Sequence, residues 1–412
     1  MATVQGVTQN VSRAISEKDG VRLASALQRD LGNRSLLEQL HHGHVDVQKA
    51  CDMALEEPYD EMLLYHFYYL RETSKGDPVE AYNHCEKACG LFCKVFEKDT
   101  HWSLPVLHEL TLSLRLAALA ADQAAGSGKK EKKREEAANM LQKFFKVTMN
   151  DRTPLHSSKR WGVLGVVNHL FKIYFSINNL RLCQNLIRAI EMNMKEALEG
   201  KEQAGRSFKM AELTTYKYFV GRLSLLNSQL SRANEELSFA FDKCPASHPK
   251  NKRLILRSLV PVRMALGKFP SPRLLQKYRL SFYVPVCRAV HLGDVKTFED
   301  ELAKLQQDLI RHGSYLLVER SKLIAYRNFF RRVHMLTEER DGAKTTKLSI
   351  SKFRACLSAT GVEMDSDEIE CLLANLVYSG YIKGYISHQH GKLVVSKGNA
   401  FPPVRDVVEG AS

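Results

Sequence analysis

Asp365-Ser-Asp-Glu-Ile-Glu-Cys-Leu-Leu-Ala-Asn-Leu-Val-Tyr-Ser-Gly-Tyr-Ile-Lys-Gly-Tyr-Ile-Ser-His-Gln-His-Gly-Lys-Leu-Val-Val395 changes its apolar period partway along, and the change decides the fold. In the first half Ile369, Leu372, Leu373, Leu376 and Val377 recur three and four residues apart, which places them on one helical face. Asp365 and Glu368 suit the start of that helix, and Gly380 suits a left-handed stop. Tyr381 to Ile386 then alternates, turns at His388-Gln-His-Gly391 and returns as Leu393-Val-Val395, a strand, a turn and a strand. Upstream, Ser349 is placed to cap a shorter helix carrying Ile350, Phe353 and Leu357, with Gly361 to end it. Two short helices followed by a hairpin predict a winged helix. Such a unit grips either nucleic acid or a partner subunit, so other residues must say which.

The chain has 412 residues, enough to bury a sizeable core. No run approaches the length of a membrane span, and the N-terminus lacks a basic flank before an apolar core, so neither a span nor a secretion signal is expected. Nine cysteines scattered along helical patterns suit reduced thiols in cytosol or nucleus. Strand-like runs are scarce outside the wing, which predicts an all-α fold.

Charge is unevenly placed within the net +14. From Lys243 to Gly293 there is no carboxylate, yet the span carries Lys243, Lys250, Lys252, Arg253, Arg257, Arg263, Lys268, Arg273, Lys277, Arg279 and Arg288. A second excess runs from Arg320 to Cys356, where ten cations face only Glu338, Glu339 and Asp341. Clustering of this kind predicts a polyanionic partner, nucleic acid or a strongly acidic protein; solvated helix faces are the bland alternative.

Residues 1–57 give weak helical patterns broken by the polar loop His41-His-Gly-His44. Helix upon helix follows over residues 58–312, interrupted by a charged linker at about 126–136, which also has the composition of a short nuclear-import signal. Gly221, Ala233, Ala240 and Pro245 have the spacing of the small residues and proline in a tetratricopeptide unit, and Ala81 with Ala88 repeats part of it. The expected architecture is a right-handed stack of helical hairpins, then a winged helix over residues 313–403 and a tail over 404–412.

The presumed recognition helix works against groove reading. Gly361 to Gly380 contains no Lys or Arg, while Glu363, Asp365, Asp367, Glu368 and Glu370 crowd its start. Base reading needs donors near base edges and cations near phosphates, so sequence-specific DNA recognition is not expected there. Cations lie instead on the preceding long helix, where Arg320, Arg327 and Arg331 form one stripe by helical phase. Arg332, Lys344, Lys347, Lys352 and Arg354 extend that charge, and Lys383, Lys392 and Lys397 decorate the hairpin. This set suits sequence-independent phosphate contacts, salt-sensitive and weak for a lone subunit; pairing with a neighbouring subunit is the alternative. In the acid-free span, Phe269, Tyr278, Phe282 and Tyr283 interleave with the cations, a mixture that fits an acidic disordered peptide or stacked bases, unless the aromatics are core.

Other constellations read as structural. Cys85, Cys89 and Cys93 drift along one helix and cannot alone close a tetrahedral zinc site. His388 and His390 flank the hairpin turn without the following acid that a His-x-His metal site needs, since Phe401 stands there. No glycine-rich phosphate loop and no nucleophile elbow appears. No catalytic residue, metal or cofactor is expected.

Several stretches resemble one branch of the PCI domain family, that of PCI domain-containing protein 2. They are Asn168-His-Leu-Phe-Lys-Ile-Tyr174, Leu186-Ile-Arg-Ala-Ile190, Thr215-Tyr-Lys-Tyr218, Leu237-Ser-Phe-Ala-Phe241, Lys250-Asn-Lys-Arg253, Gly384-Tyr-Ile-Ser-His-Gln-His390 and Lys392-Leu-Val-Val-Ser-Lys397. The likeness runs from about Lys159 to Pro403 and thins toward the N-terminus. It implies a non-enzymatic subunit of a nuclear, transcription-coupled mRNA export complex, associated with the nuclear pore and with some cytoplasmic pool. It further implies pairing of winged helices with a larger GANP-type scaffold protein, and a basic surface offered to RNA, with DNA bound non-specifically as a further candidate. A small acidic protein shared with the proteasome lid would clamp the repeats. For that partner the likeness favours Lys250, Lys252, Arg253, Arg257, Arg263, Arg273, Lys277, Tyr278 and Arg279. The rival within the same fold is a structural subunit of a signalosome or proteasome-lid type assembly; a DNA-binding regulator is the rival from another class.

Overall fold

The structure, a computed structural model, describes residues 3–29, 34–42, 45–126, 131–203, 205–341 and 345–410. It is 76% helical, with one small three-stranded sheet among the described residues. The chain divides into two compact units, Met1–Tyr216 and Lys217–Ser412. The first holds α1 (Val4–Ser16), α2 (Gly20–Ala26), α3 (Arg34–His42), α4 (Val47–Ala54), α5 (Tyr59–Lys75), α6 (Pro78–Lys98), α7 (Leu104–Ala124), α8 (Lys132–Met149), α9 (Val163–Ser176) and α10 (Leu180–Leu198). The division falls within α11 (Met210–Leu226). After it come α12 (Leu230–Lys243), α13 (Pro249–Ala265), α14 (Pro272–Lys277), α15 (Tyr283–Leu292), α16 (Val295–His312) and α17 (Tyr315–Asp341). The winged helix adds β1 (Lys347–Ser349), α18 (Ile350–Ala359), α19 (Ser366–Tyr378), β2 (Gly384–Ser387) and β3 (Lys392–Val395), and α20 (Val404–Gly410) follows.

Hairpins in the first unit are set by local chemistry. Gly76 takes the left-handed conformation that ends α5, Asp77 accepts from the amides of Val79 and Glu80, and Pro78 opens α6. Phe67 and Leu70 of α5 are buried, as are Tyr82, Cys85, Cys89 and Phe92 of the α6 it packs on. The cysteine row is therefore core; Cys89 directs its thiol to the Leu110 carbonyl, 3.7 Å away. Among the described residues only the segment ending in α7 is long and apolar enough to cross a membrane, and α7 packs against α6 and α8. Although weakly patterned, residues 1–57 contribute core: Val4, Val11, Ala14 and Leu23 are fully buried, and α2 lies against α7. Across the charged linker, Asp122 accepts from the Lys133 and Arg134 amides and the Arg134 side chain, so both flanks are pinned; residues 127–130 lie outside the described residues.

In the second unit the tetratricopeptide spacing does what small residues there should do. A Cβ on Gly221 would stand 2.6 Å from Leu237 Cγ, and Ala233 and Ala240 are fully buried, so α11 and α12 approach closely. The long helix α17 serves two cores. It packs with α13, α15 and α16. It also supplies Tyr326, Phe329, Phe330 and Val333 to a cluster with Phe353, Leu357, Ile369, Leu373, Leu376 and Leu393.

The start and stop signals of α19 hold in detail. Asp365 and Glu368 form a reciprocal capping box at α19, and Gly380 is left-handed at φ +77°. Ser349 sits at the cap position of α18 but makes no capping bond; its hydroxyl meets that of Ser351 at 2.7 Å. The strands are ordered β1-β3-β2, both pairs antiparallel. Within the segment expected as a tail, Val404–Gly410 is helical, and Val404 packs where Gly267 lacks a side chain.

Candidate nucleic-acid interface

Register sorts the wing into two faces. Leu348, Leu393 and Val395 point inward and are buried. Lys347 pairs with Val394, which pairs with Tyr385, so these three share the opposite face; Ser349, Lys392 and Ser387 form the next row. The Ser396 amide donates to the Lys383 carbonyl at 2.8 Å, continuing the pairing and placing Lys383 on the same outward face. Lys347, Lys383, Lys392 and Lys397 are all exposed. From Cys371 through Arg405 the chain contains no Asp or Glu, so nothing on the strands offsets these ammonium groups.

The arginine stripe on α17 is interrupted. Arg320 is exposed and donates to Ser228 Oγ at 3.1 Å; Arg331 is exposed. Arg327 shares their helical phase but is only 6% exposed, because residues 401–402 return across that part of the helix. Its guanidinium donates to the carbonyls of Phe401 and Pro402, both at 2.8 Å, and to Asn328 Oδ1 at 2.7 Å. Burial, with the neighbouring Arg331 charge, lowers its pKa to about 10. Arg327 is thus a fastening for the C-terminal segment, a correction to its expected place on a phosphate-binding surface. Arg332, though exposed, donates to the Leu292 carbonyl at the end of α15. Lys352 is half-buried, and Arg354 shares a cleft with Glu363, Asp365 and Glu368, which offset its charge. Lys344 lies outside the described residues.

The acid-free span separates likewise. Lys250, Arg273, Lys277 and Arg279 are exposed. Lys252 is buried, its ammonium donating to the Phe241 carbonyl at 2.7 Å and lying 4.3 Å from that ring's centre. Tyr278 is buried edge-on against Phe241. Those two therefore belong to the core rather than to the expected partner surface. Arg257 approaches Asp308 at 3.7 Å, Arg263 donates to Ser238 Oγ, and Arg253 is half-buried. Of the interleaved aromatics, Tyr283 is core, whereas Phe269 and Phe282 are half-buried.

On α19 the solvent face presents Asp367, Cys371, Ala374 and Tyr378, the last 94% exposed. His388 meets Glu370 at 2.7 Å, and that hydrogen bond raises its pKa. His390 pairs with Ser387 Oγ, and His41 with Ser74 Oγ. The side chain of His42 and all of His44 lie outside the described residues. Tyr385 and Tyr378 carry exposed aromatic surface that the sequence reading passed over. For Tyr385 a signal existed, since strand alternation sets it opposite to Ile386.

Comparison with known proteins bears on this arrangement. A PCI domain profile matches residues 301–397, which include α17 and the winged helix. PCI domain-containing protein 2 of Xenopus laevis is 41% identical over 98% of this chain and 99% of its own length. The protein of the same name from Danio rerio is 40% identical, with the same coverage of both chains. The Protein CSN12 homolog of Neurospora crassa is 29% identical over 97% of this chain and 99% of its own. With a helical-hairpin stack, a terminal winged helix and identity sustained along nearly the whole chain, the protein belongs to the PCI domain-containing protein 2 family, as a PCI-type complex subunit.

Proposed function

We propose that the protein is a scaffold and RNA-binding subunit of a nuclear mRNA export complex, acting at or near the nuclear pore. Its PCI domain would join a larger GANP-type PCI scaffold, and its wing would hold RNA through phosphate contacts. The observation that carries this reading is the outward wing face, where Lys347, Lys383 and Lys392 stand together with no carboxylate on the strands. Phosphate contacts of this kind position a chain without reading it and weaken steeply with salt. The exposed cations Lys250, Arg273, Lys277 and Arg279 support a second contact, with a small acidic protein.

RNA binding measured across a salt series tests the reading. The wild-type chain should lose affinity as salt rises, and a K347E/K392E variant should bind weakly with a shallower salt slope. Equal affinity and slope in that variant would favour a structural subunit of a signalosome or lid type assembly. That second reading has its own support in the uncharged exposed surface of Leu336 (61%) and Tyr378 (94%), which suits protein docking. Native purification separates the two by the company kept: a GANP-type scaffold and nuclear RNA, or signalosome or lid subunits.

A further inference from the structure

We propose that the outward wing face selects single-stranded RNA, with Tyr385 stacking on a base while Lys347, Lys383 and Lys392 hold the phosphates around it. This deepens the RNA-binding reading above and rests on it. Tyr385 is 62% exposed on β2, in one row with Val394 and Lys347. Lys383 precedes it by two residues on the same face, and Lys392 lies diagonally across β3. Strand spacing and rise per residue root all three lysines within roughly 10 Å of the tyrosine. Their flexible stems can therefore meet phosphates on either side of a base laid on the ring.

The rest of the face keeps that ring accessible. Ser349, Ser387 and Ser396 occupy other outward positions and carry short side chains, and the Tyr385 ring is well exposed. Stacking tolerates any base, because every base presents a π-face. A protein-docking core would be mainly apolar and poor in lysine. Here Val394 is the single aliphatic outward residue of the three strands, and lysines surround it. A duplex fits poorly for a different reason. The bases of a duplex are already stacked on one another, so their faces are closed to Tyr385, whereas those of a single strand can be splayed onto the ring.

Fluorescence anisotropy of the full chain provides the test, using labelled oligouridine of about twelve nucleotides and a duplex RNA of matching length. Y385A should weaken oligouridine binding about tenfold, leave the salt slope unchanged and leave the weaker duplex binding untouched. Y385F retains the ring and should bind as wild type. K347E/K392E should lower both affinity and slope. If K347E/K392E loses RNA while Y385A keeps full single-strand affinity, the stacking proposal fails and the phosphate reading stands. If both variants bind RNA as wild type does, or the wild-type chain binds none, the RNA-binding reading itself fails. Equal losses by Y385A on both RNAs would overturn strand selection. Loss of a partner protein in Y385A with RNA affinity unchanged would make the face a protein contact. Each variant is compared with wild type in thermal unfolding, and Y385F separates loss of the ring from loss of the hydroxyl.

Discussion

Arg327 and Phe401 are joined twice: the guanidinium lies 5.8 Å from the centre of the Phe401 ring and donates to the Phe401 carbonyl at 2.8 Å. One side chain on α17 thus holds the ring and the backbone of a segment 74 residues further along. Truncation in R327A leaves two buried carbonyls without their donor. The expected loss is about 2–4 kcal/mol of stability. Urea unfolding would measure it, and faster amide exchange over residues 400–408 would place it. A variant as stable as wild type, with that segment still protected, would contradict the fastening role.

The approach of α11 to α12 makes Gly221 a second sensitive position. Alanine favours a helix interior over glycine by about 1 kcal/mol. Against that gain, the added Cβ would stand 2.6 Å from Leu237 Cγ and 3.1 Å from the Leu237 amide nitrogen. Overpacking should win, so G221A is expected to lose about 1–3 kcal/mol. Combining it with L237A should cost less than the two single losses summed, measured as a coupling energy from thermal or urea unfolding.

In the first unit His108 and Glu212 face one another, Nε2 to Oε1, at 3.7 Å. Burial raises the Glu212 carboxyl from 4.5 to about 7 and lowers the His108 imidazole from 6.5 to about 4. The folded chain keeps the Glu212 proton where the unfolded chain has released it, so this group's contribution to stability declines as pH rises from 4.5 to 7. His108 acts in the opposite sense. Its unfolded imidazole takes a proton below 6.5 and the folded one resists until about 4, so stability is lost as pH falls through that window. E212Q should therefore gain on wild type between pH 5 and pH 8, by on the order of 2 kcal/mol. Urea midpoints at the two pH values check this, and an unchanged difference would remove the buried carboxyl as its source.

Lys250 and Lys252 are two residues apart and should behave differently. Lys252 donates to the Phe241 carbonyl from a buried position, so K252A is expected to cost about 1–3 kcal/mol. Lys250 is exposed, so K250E should leave the melting temperature near that of wild type. If an acidic partner docks on this span, K250E with R273E should weaken that complex while the fold is intact. Melting and pull-down together separate the two roles.

Much of this protein is legible because the deciding chemistry is local. The Asp365–Glu368 box, the Gly380 stop and the α11–α12 packing all depend on residues close in the chain, and the sequence shows their spacing directly. Arg327 could not be read that way. Helical phase put it with Arg320 and Arg331, but its burial depends on where residues 401–402 return. Lys252 is hidden similarly by Phe241, eleven residues earlier on a different helix. Composition marks where cations are concentrated; only packing separates those that face solvent from those consumed inside.

The capping box has a bearing on what this helix could become. Asp365 and Glu368 are the residues that start α19, each satisfying the other's backbone amide. They are also among the acids of a stretch that carries no cation between Gly361 and Gly380. Exchanging them for lysines to create a base reader would undo the first turn that such a reader must present. The start of the helix and the negative charge it presents thus rest on the same two carboxylates.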